Sequence, residues 1–304
     1  MTQAILKTLA YFDIFDYPLT LVEIWKWLYV ENNRSASLSE VRQSLAQLAG
    51  RVETKNGFWF LPGRSGIIQT RLERYSIAEE KFKKLLKVVK VLRRIPFIKM
   101  IAVCNRLAYS NTDEKGDIDL FIITEKNRLW LTRLLAVGWL KLNKQRPMPG
   151  NKKDAIDTNF FLSEADLQVD YLGVQTDDRH KNLSLVYWLD QLAPVYDIDN
   201  SYQRFLEAND WLKEYLPNAF GYQLNDRRTV KATLVSRIIG WLLSWLTFEN
   251  LARKFQLKIM PLRLKELMNK DSRVMVNDKL LKFHLEDKRE NYLKLWQDKL
   301  NEIG

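Results

Sequence analysis

Cysteine is almost missing from this chain: Cys104 is the only one in 304 residues. That excludes an internal disulfide framework and fits a reducing, cytoplasmic setting. Histidine is nearly as scarce. His180 and His284 stand far apart and share no metal-ligand spacing, so zinc is not expected. The 11 glycines and 8 prolines build no tandem repeat, Walker-type loop or dinucleotide fingerprint. Long apolar runs are also lacking. The opening MTQAILKTLAYFDIF is followed by acids and no small-residue cleavage site, so no signal peptide is expected. The one membrane-like stretch, 232–248 (ATLVSRIIGWLLSWLTF), is shorter than the roughly 20 residues of a span. It also holds Arg237, so a buried or interfacial helix is expected and a membrane partner is not.

Positive charge is what the chain does have, with a formal net of +11. Residues 1–95 carry 16 Lys and Arg against 9 Asp and Glu, residues 96–219 carry 15 against 18, and residues 220–304 carry 17 against 10. A slightly acidic middle between basic flanks suits a metal-binding or catalytic centre in surroundings that attract polyanions. Solvated charged helices give the same pattern. The length allows two or three modest domains.

Residues 1–66 carry the signals of a winged helix-turn-helix. Ile5, Leu6, Leu9 and Phe12 form a first helical stripe. Thr20 with Glu23, and Ser37 with Glu40, are capping-box patterns that open a second and a third helix. Asn56-Gly57 then marks a hairpin within RVETKNGFWFLPG. The third helix offers only Arg42 as a base beside Ser39, Gln43, Ser44 and Gln47, which is thin for DNA reading. A protein-binding or structural role is an equal expectation. Residues 67–95 form a linking helix whose end, KFKKLLKVVKVLRR, has seven bases and no acid. It is either a ridge for RNA or an acidic partner, or a solvated face.

The most specific chemistry lies in Ile98–Thr124, IKMIAVCNRLAYSNTDEKGDIDLFIIT: a buried strand, a turn into a helix start, a polar loop and a second buried strand. Asp117 and Asp119 stand at the head of that second strand. Alternation points both carboxylates the same way, roughly 7 Å apart, a pairing that suits a hard divalent cation such as Mg²⁺. A Trp- and Leu-rich helix follows, then the loop KQRPMPGNKKD. The strand Ala155–Leu162 comes next, with Asp157 and Asn159 on one face and Ile156, Thr158 and Phe160 on the other. Ser163 is placed to cap a helix from Glu164. The remainder, 181–304, reads as a helical C-terminal region. Cys104 reads as a small buried residue, and the ten tryptophans sit mostly at helical spacing, as core residues do.

The order strand, turn, helix start, loop, Asp-x-Asp strand, helix, strand resembles the minimal nucleotidyltransferase fold of the polymerase-beta superfamily. The likeness extends over most of the chain to bacterial nucleotidyltransferase-domain proteins of unassigned substrate, through YFDIFDYPLT, FLPGR, SYQRFLEANDWLKEYLP and FHLEDKR. It implies an α+β protein: a winged helix over 1–66, a linking helix over 67–95, a nucleotidyltransferase-like α/β core over 96–180 and a helical region over 181–304. It implies two Mg²⁺ ions on Asp117 and Asp119, Asp157 aligning an acceptor hydroxyl, and an NTP as nucleotide donor. The acceptor would be RNA, a small molecule or a protein, with the basic flanks tilting toward RNA. One departure is clear. The family's Gly-Ser pair, which grips the triphosphate, is replaced by Asn105-Arg106. Asn105 can still adopt an unusual turn and Arg106 can hold phosphate. The alternative is a catalytically degenerate protein that serves as a scaffold for nucleic acid or protein.

Overall fold

Local signals set the first elements. In the computed structural model, which describes all residues except 32, 149, 223–224, 234–237, 239–247 and 304, helix α1 spans Thr2–Asp13. The capping boxes are both formed. Thr20 and Glu23 exchange hydrogen bonds at the start of α2 (Leu21–Lys26), and Ser37 and Glu40 do so at α3 (Leu38–Ala46). Each satisfies amide groups that a helix start leaves unpaired. Strands β2 (Glu53–Lys55) and β3 (Phe58–Phe60) turn at Asn56 and Gly57, both at positive φ (53° and 79°). Strand β1 (Leu19–Thr20) joins them, giving the antiparallel order β1-β3-β2.

The long helix α4 (Ile67–Leu92) leads into a six-stranded mixed sheet, so the chain is an α+β protein. The strands are β4 (Ile98–Val103), β5 (Ile118–Thr124), β6 (Ile156–Ser163), β7 (Ala193–Asp197), β8 (Val274–Val276) and β9 (Leu280–Phe283). Their order is β7-β4-β5-β6-β9-β8, with β5 and β6 parallel and every other pair antiparallel. One face packs against α4 and α6 (Leu129–Leu142) through Ile101, Val103, Leu120 and Ile122. The other face, with Met100, Phe121 and Phe160, joins α7 (Leu183–Asp190), the first three helices and Trp296 of the C-terminal helix (Arg289–Ile303) in one continuous core.

Several sequence expectations are corrected. The region 181–304 is not only helical, because β7, β8 and β9 come from it and supply half of the large sheet. APVYD is a short run buried from Ala193 to Tyr196, whose lack of alternation hides a strand between helices. The β8–β9 turn is legible in hindsight: Asn277 Oδ1 accepts from the amides of Lys279 and Leu280 at 2.8 Å. No helix starts at Glu164; Ser163 ends β6 and its hydroxyl accepts from Ala165 N in a turn. In the basic stretch of α4, Lys83, Lys84, Lys87 and Lys90 are exposed, as is Arg94 just past its end, but Lys81 is buried. The apolar stretch 232–248 lies for the most part outside the described residues. No described helix is long and apolar enough to cross a membrane.

Candidate metal centre

Two loops deliver the acids to the head of the sheet. Asp117 is bracketed by bonded neighbours: Gly116 O accepts from Asp154 N (3.1 Å) and from Lys81 Nζ (2.6 Å), and Ile118 N donates to Ala155 O (2.8 Å). Gly116 is needed here for space, because a Cβ would sit 2.9 Å from the Thr112 hydroxyl. Strands β5 and β6 then run parallel with Asp119 directly opposite Asp157. Past that pair β6 holds one residue more than β5, since the next partners are Phe121 and Phe160. This bulge breaks the simple alternation expected for β6. It puts Phe160 on the face of Asp157 rather than that of Ile156, and Phe160 stacks on Phe121 with centroids 4.5 Å apart.

Asp117, Asp119 and Asp157 therefore converge, each offering an oxygen within 4.8 Å of the others. Burial pushes the Asp119 carboxyl up to about 7, with Asp117 and Asp157 adding like-charge repulsion and a hydrogen bond from Asn105 opposing it. Burial also raises Asp157, against the pull of Arg146, whose guanidinium stands 3.5 Å away. Three clustered oxygen acids could hold a metal ion, and the donor set suits a hard one. No thiolate competes, since burial and the nearby Asp119 drive the Cys104 thiol well above its usual range. A divalent cation would offset the repulsion that raises Asp119, so these residues fit Mg²⁺.

Asn105 follows β4 and opens the short helix α5 (Asn105–Ala108) at φ 58°, a left-handed conformation favoured by glycine and asparagine. Trp188 Nε1, which can only donate, gives a 2.9 Å hydrogen bond to Asn105 Oδ1. That orients the amide so that its NH₂ faces Asp119. Arg106 is turned elsewhere: its Nε donates to Asn111 O (3.1 Å), and the guanidinium lies 3.5 Å from Asp113. It lines the same cleft as the acids without touching them.

That cleft encloses about 640 Å³. Its lining carries Arg273, Lys282, His284, Lys288 and Arg289 with the acids Glu286 and Asp287, and also Lys115 and Lys152. Sequence reasoning missed Arg146, Lys152 and the C-terminal part of this lining. The signal for Arg146 and Lys152 was their place in the loop directly before Asp157. Of that part, His284, Lys288 and Arg289 were within reach through FHLEDKR. No protein-family model, curated protein or solved structure matches the chain.

Proposed function

We propose that this protein is an Mg²⁺-dependent nucleotidyltransferase that moves a nucleoside monophosphate from an NTP to an acceptor hydroxyl. The observation that carries the reading is the convergence of Asp117, Asp119 and Asp157 within 4.8 Å at the head of adjacent strands, with Asp117 and Asp119 lining a cleft. Asp117 and Asp119 would hold the metal, and Mg²⁺ bound there would supply charge neutralisation for the substrate's phosphates. Asp157 sits where an acceptor hydroxyl would be positioned, and its raised carboxyl is suited to take a proton. In the reaction the acceptor oxygen bonds to the α-phosphorus and the α–β anhydride bond breaks. Pyrophosphate leaves, and the hydroxyl proton passes to Asp157.

Asn105 supports the reading at the position of the family's glycine, because its backbone takes the left-handed conformation that a glycine there would allow. It leaves the backbone close to the phosphates while its amide braces Asp119. The N-terminal helices with the β1-β3-β2 sheet fit a winged helix serving as an acceptor- or partner-binding module. The exposed residues of α3 include Ser39, Arg42 and Gln43, with Gln47 exposed at its C-cap, so protein contact suits it better than DNA.

The test is incubation with labelled NTPs, Mg²⁺ or Mn²⁺ and total RNA. Label transfer that disappears in the Asp117→Ala/Asp119→Ala double variant is the expected result. Absence of both transfer and any nucleotide-induced rise in melting temperature would overturn it. One observation favours the scaffold reading: Arg106, at the place of the triphosphate-gripping serine, is engaged with Asn111 and Asp113. Under that reading RNA binding is salt-sensitive and survives the double variant.

A further inference from the structure

The run FHLEDKR (283–289) has no part in the reaction just described, yet it returns to the same cleft. Strand β9 lies beside β6 with Lys282 opposite Phe160. Phe160 in turn stacks on Phe121, two residues beyond Asp119. Alternation puts Lys282 and His284 on this same face of the sheet, and both line the cleft with Asp117 and Asp119. The amide of His284 donates to Arg273 O at 2.9 Å, which carries the pairing of β8 and β9 one step further and sets Arg273 beside them.

Hydrogen-bonding capacity here is unfilled. The Lys282 ammonium has three protons to give. Among the described residues it gives one hydrogen bond, to Ser272 O at 2.6 Å, and forms no ion pair. His284 Nδ1 is buried without a hydrogen-bond partner. The neighbouring bases differ. Asp271 holds Arg273 at 2.7 Å, Asp287 holds Arg289 at 2.5 Å, and Glu286 lies 4.0 Å from Lys288. Burial lowers the Lys282 ammonium to about 8, with Arg289 adding to the effect. Asp287 and Asp271 oppose this from beyond ion-pair distance, and both are already engaged by Arg289 and Arg273. Burial and Lys282 together lower His284 to about 4, so its ring is neutral near pH 7 and can present an N–H. A largely enclosed cation with no counter-ion of its own is costly unless an anion joins it.

We propose that Lys282 and His284, with Arg273 beside them, form an anion site that takes a phosphate group of the substrate in the cleft shared with Asp117 and Asp119. This rests on the nucleotidyltransferase reading and extends it to a second group of residues in the site. The acids take the metal side of the substrate and the β8–β9 hairpin takes a phosphate directly, without a metal between. That phosphate belongs either to the NTP or to a phosphorylated end of the acceptor.

The test is calorimetric titration of the full chain with inorganic tripolyphosphate in EDTA. The wild type binds, Lys282→Met weakens binding about tenfold to hundredfold, and Lys282→Arg keeps most of it. His284→Phe serves as the second variant, and the melting temperatures of all variants report that they fold. Asp117→Asn/Asp119→Asn keeps or strengthens tripolyphosphate binding, because the acids only repel the anion when no metal is present. Wild-type affinity in both Lys282→Met and His284→Phe, or no binding by the wild type, overturns the anion site. Displacement of tripolyphosphate by ATP assigns the site to the donor. Displacement by a 5′-phosphorylated oligoribonucleotide, but not by its dephosphorylated form, assigns it to the acceptor, and displacement by neither overturns the proposal. Anion binding through Lys282 without label transfer sinks the enzyme reading alone. Label transfer that Lys282→Met leaves unchanged, in KM as in binding, sinks the anion site alone.

Discussion

Two clusters of enclosed charge stand a few residues apart and are treated in opposite ways. Lys81, only 2% exposed, donates to Gly116 O (2.6 Å), Glu114 O (3.3 Å) and Asp154 (2.7 Å), while Lys84 reaches the other Asp154 oxygen at 2.5 Å. Every proton of the Lys81 ammonium is matched by an acceptor. The triad of Asp117, Asp119 and Asp157 gathers three like charges with Arg146 as its nearest cation, 3.5 Å from Asp157. Gly116 precedes Asp117 by one residue, and Asp154 precedes Asp157 by three. The closed cluster thus clamps the loops that carry the open one. A charge matched by the protein itself holds structure, whereas a charge left unmatched beside a cleft is set for a ligand.

The largest effect that could break this comparison is catalytic. Asp117→Asn/Asp119→Asn should lower label transfer by on the order of 10³-fold, while the melting temperature in EDTA stays the same or rises as repulsion is relieved. A clear fall in that melting temperature would mean that the triad holds structure after all. Next, Lys81→Met removes the ammonium that joins Gly116 O, Glu114 O and Asp154, leaving Lys84 alone on that carboxylate. Denaturant unfolding should show a loss of about 1–3 kcal/mol, with weaker transfer as both loops loosen. Wild-type stability would refute the clamp.

The pH dependence follows from Asp119. Its carboxyl is raised to about 7 in the fold, so the native state binds the proton more tightly than the unfolded chain up to that pH. Its contribution to stability is therefore fully present at low pH, falls as pH rises from about 4 to about 7 and then levels off. Calorimetry in EDTA should show that decline. Asp119→Asn should flatten it, and Mg²⁺ should restore stability above pH 7. A decline of equal size in Asp119→Asn would point to other groups. The smallest effect concerns Asn105. Asn105→Ala should cost about 1–2 kcal/mol, because alanine is strained at this positive φ, and Asn105→Gly should cost less. Equal losses would show that the amide matters more than the backbone.

Much of the first hundred residues was legible because its signals are local. Thr20 with Glu23, Ser37 with Glu40 and Asn56-Gly57 act within four residues, and each is realised as written. The Asp117/Asp119 pairing was legible for the same reason, since strand alternation needs no partner. The closeness of Asp157 depends on a parallel register with β5, and the faces of β6 depend on a bulge that alternation alone misplaces. Lys81 looked like one more base on a charged helix, because its acceptors lie 33 to 73 residues away in the chain. APVYD and the β8–β9 hairpin were lost among helices, because short buried strands show no period.

The sequence by itself determined the acids, the helix caps, the basic flanks and the Asn105-Arg106 pair that follows β4. Tertiary structure alone decided which charges are answered and which are not. It buried Lys81 among acceptors, turned Arg106 toward Asn111 and Asp113, and brought Lys282 and His284 to the cleft of the acid triad. The reason is that a side chain's electrostatic state depends on its neighbours in space, and for these residues most of them come from distant parts of the chain.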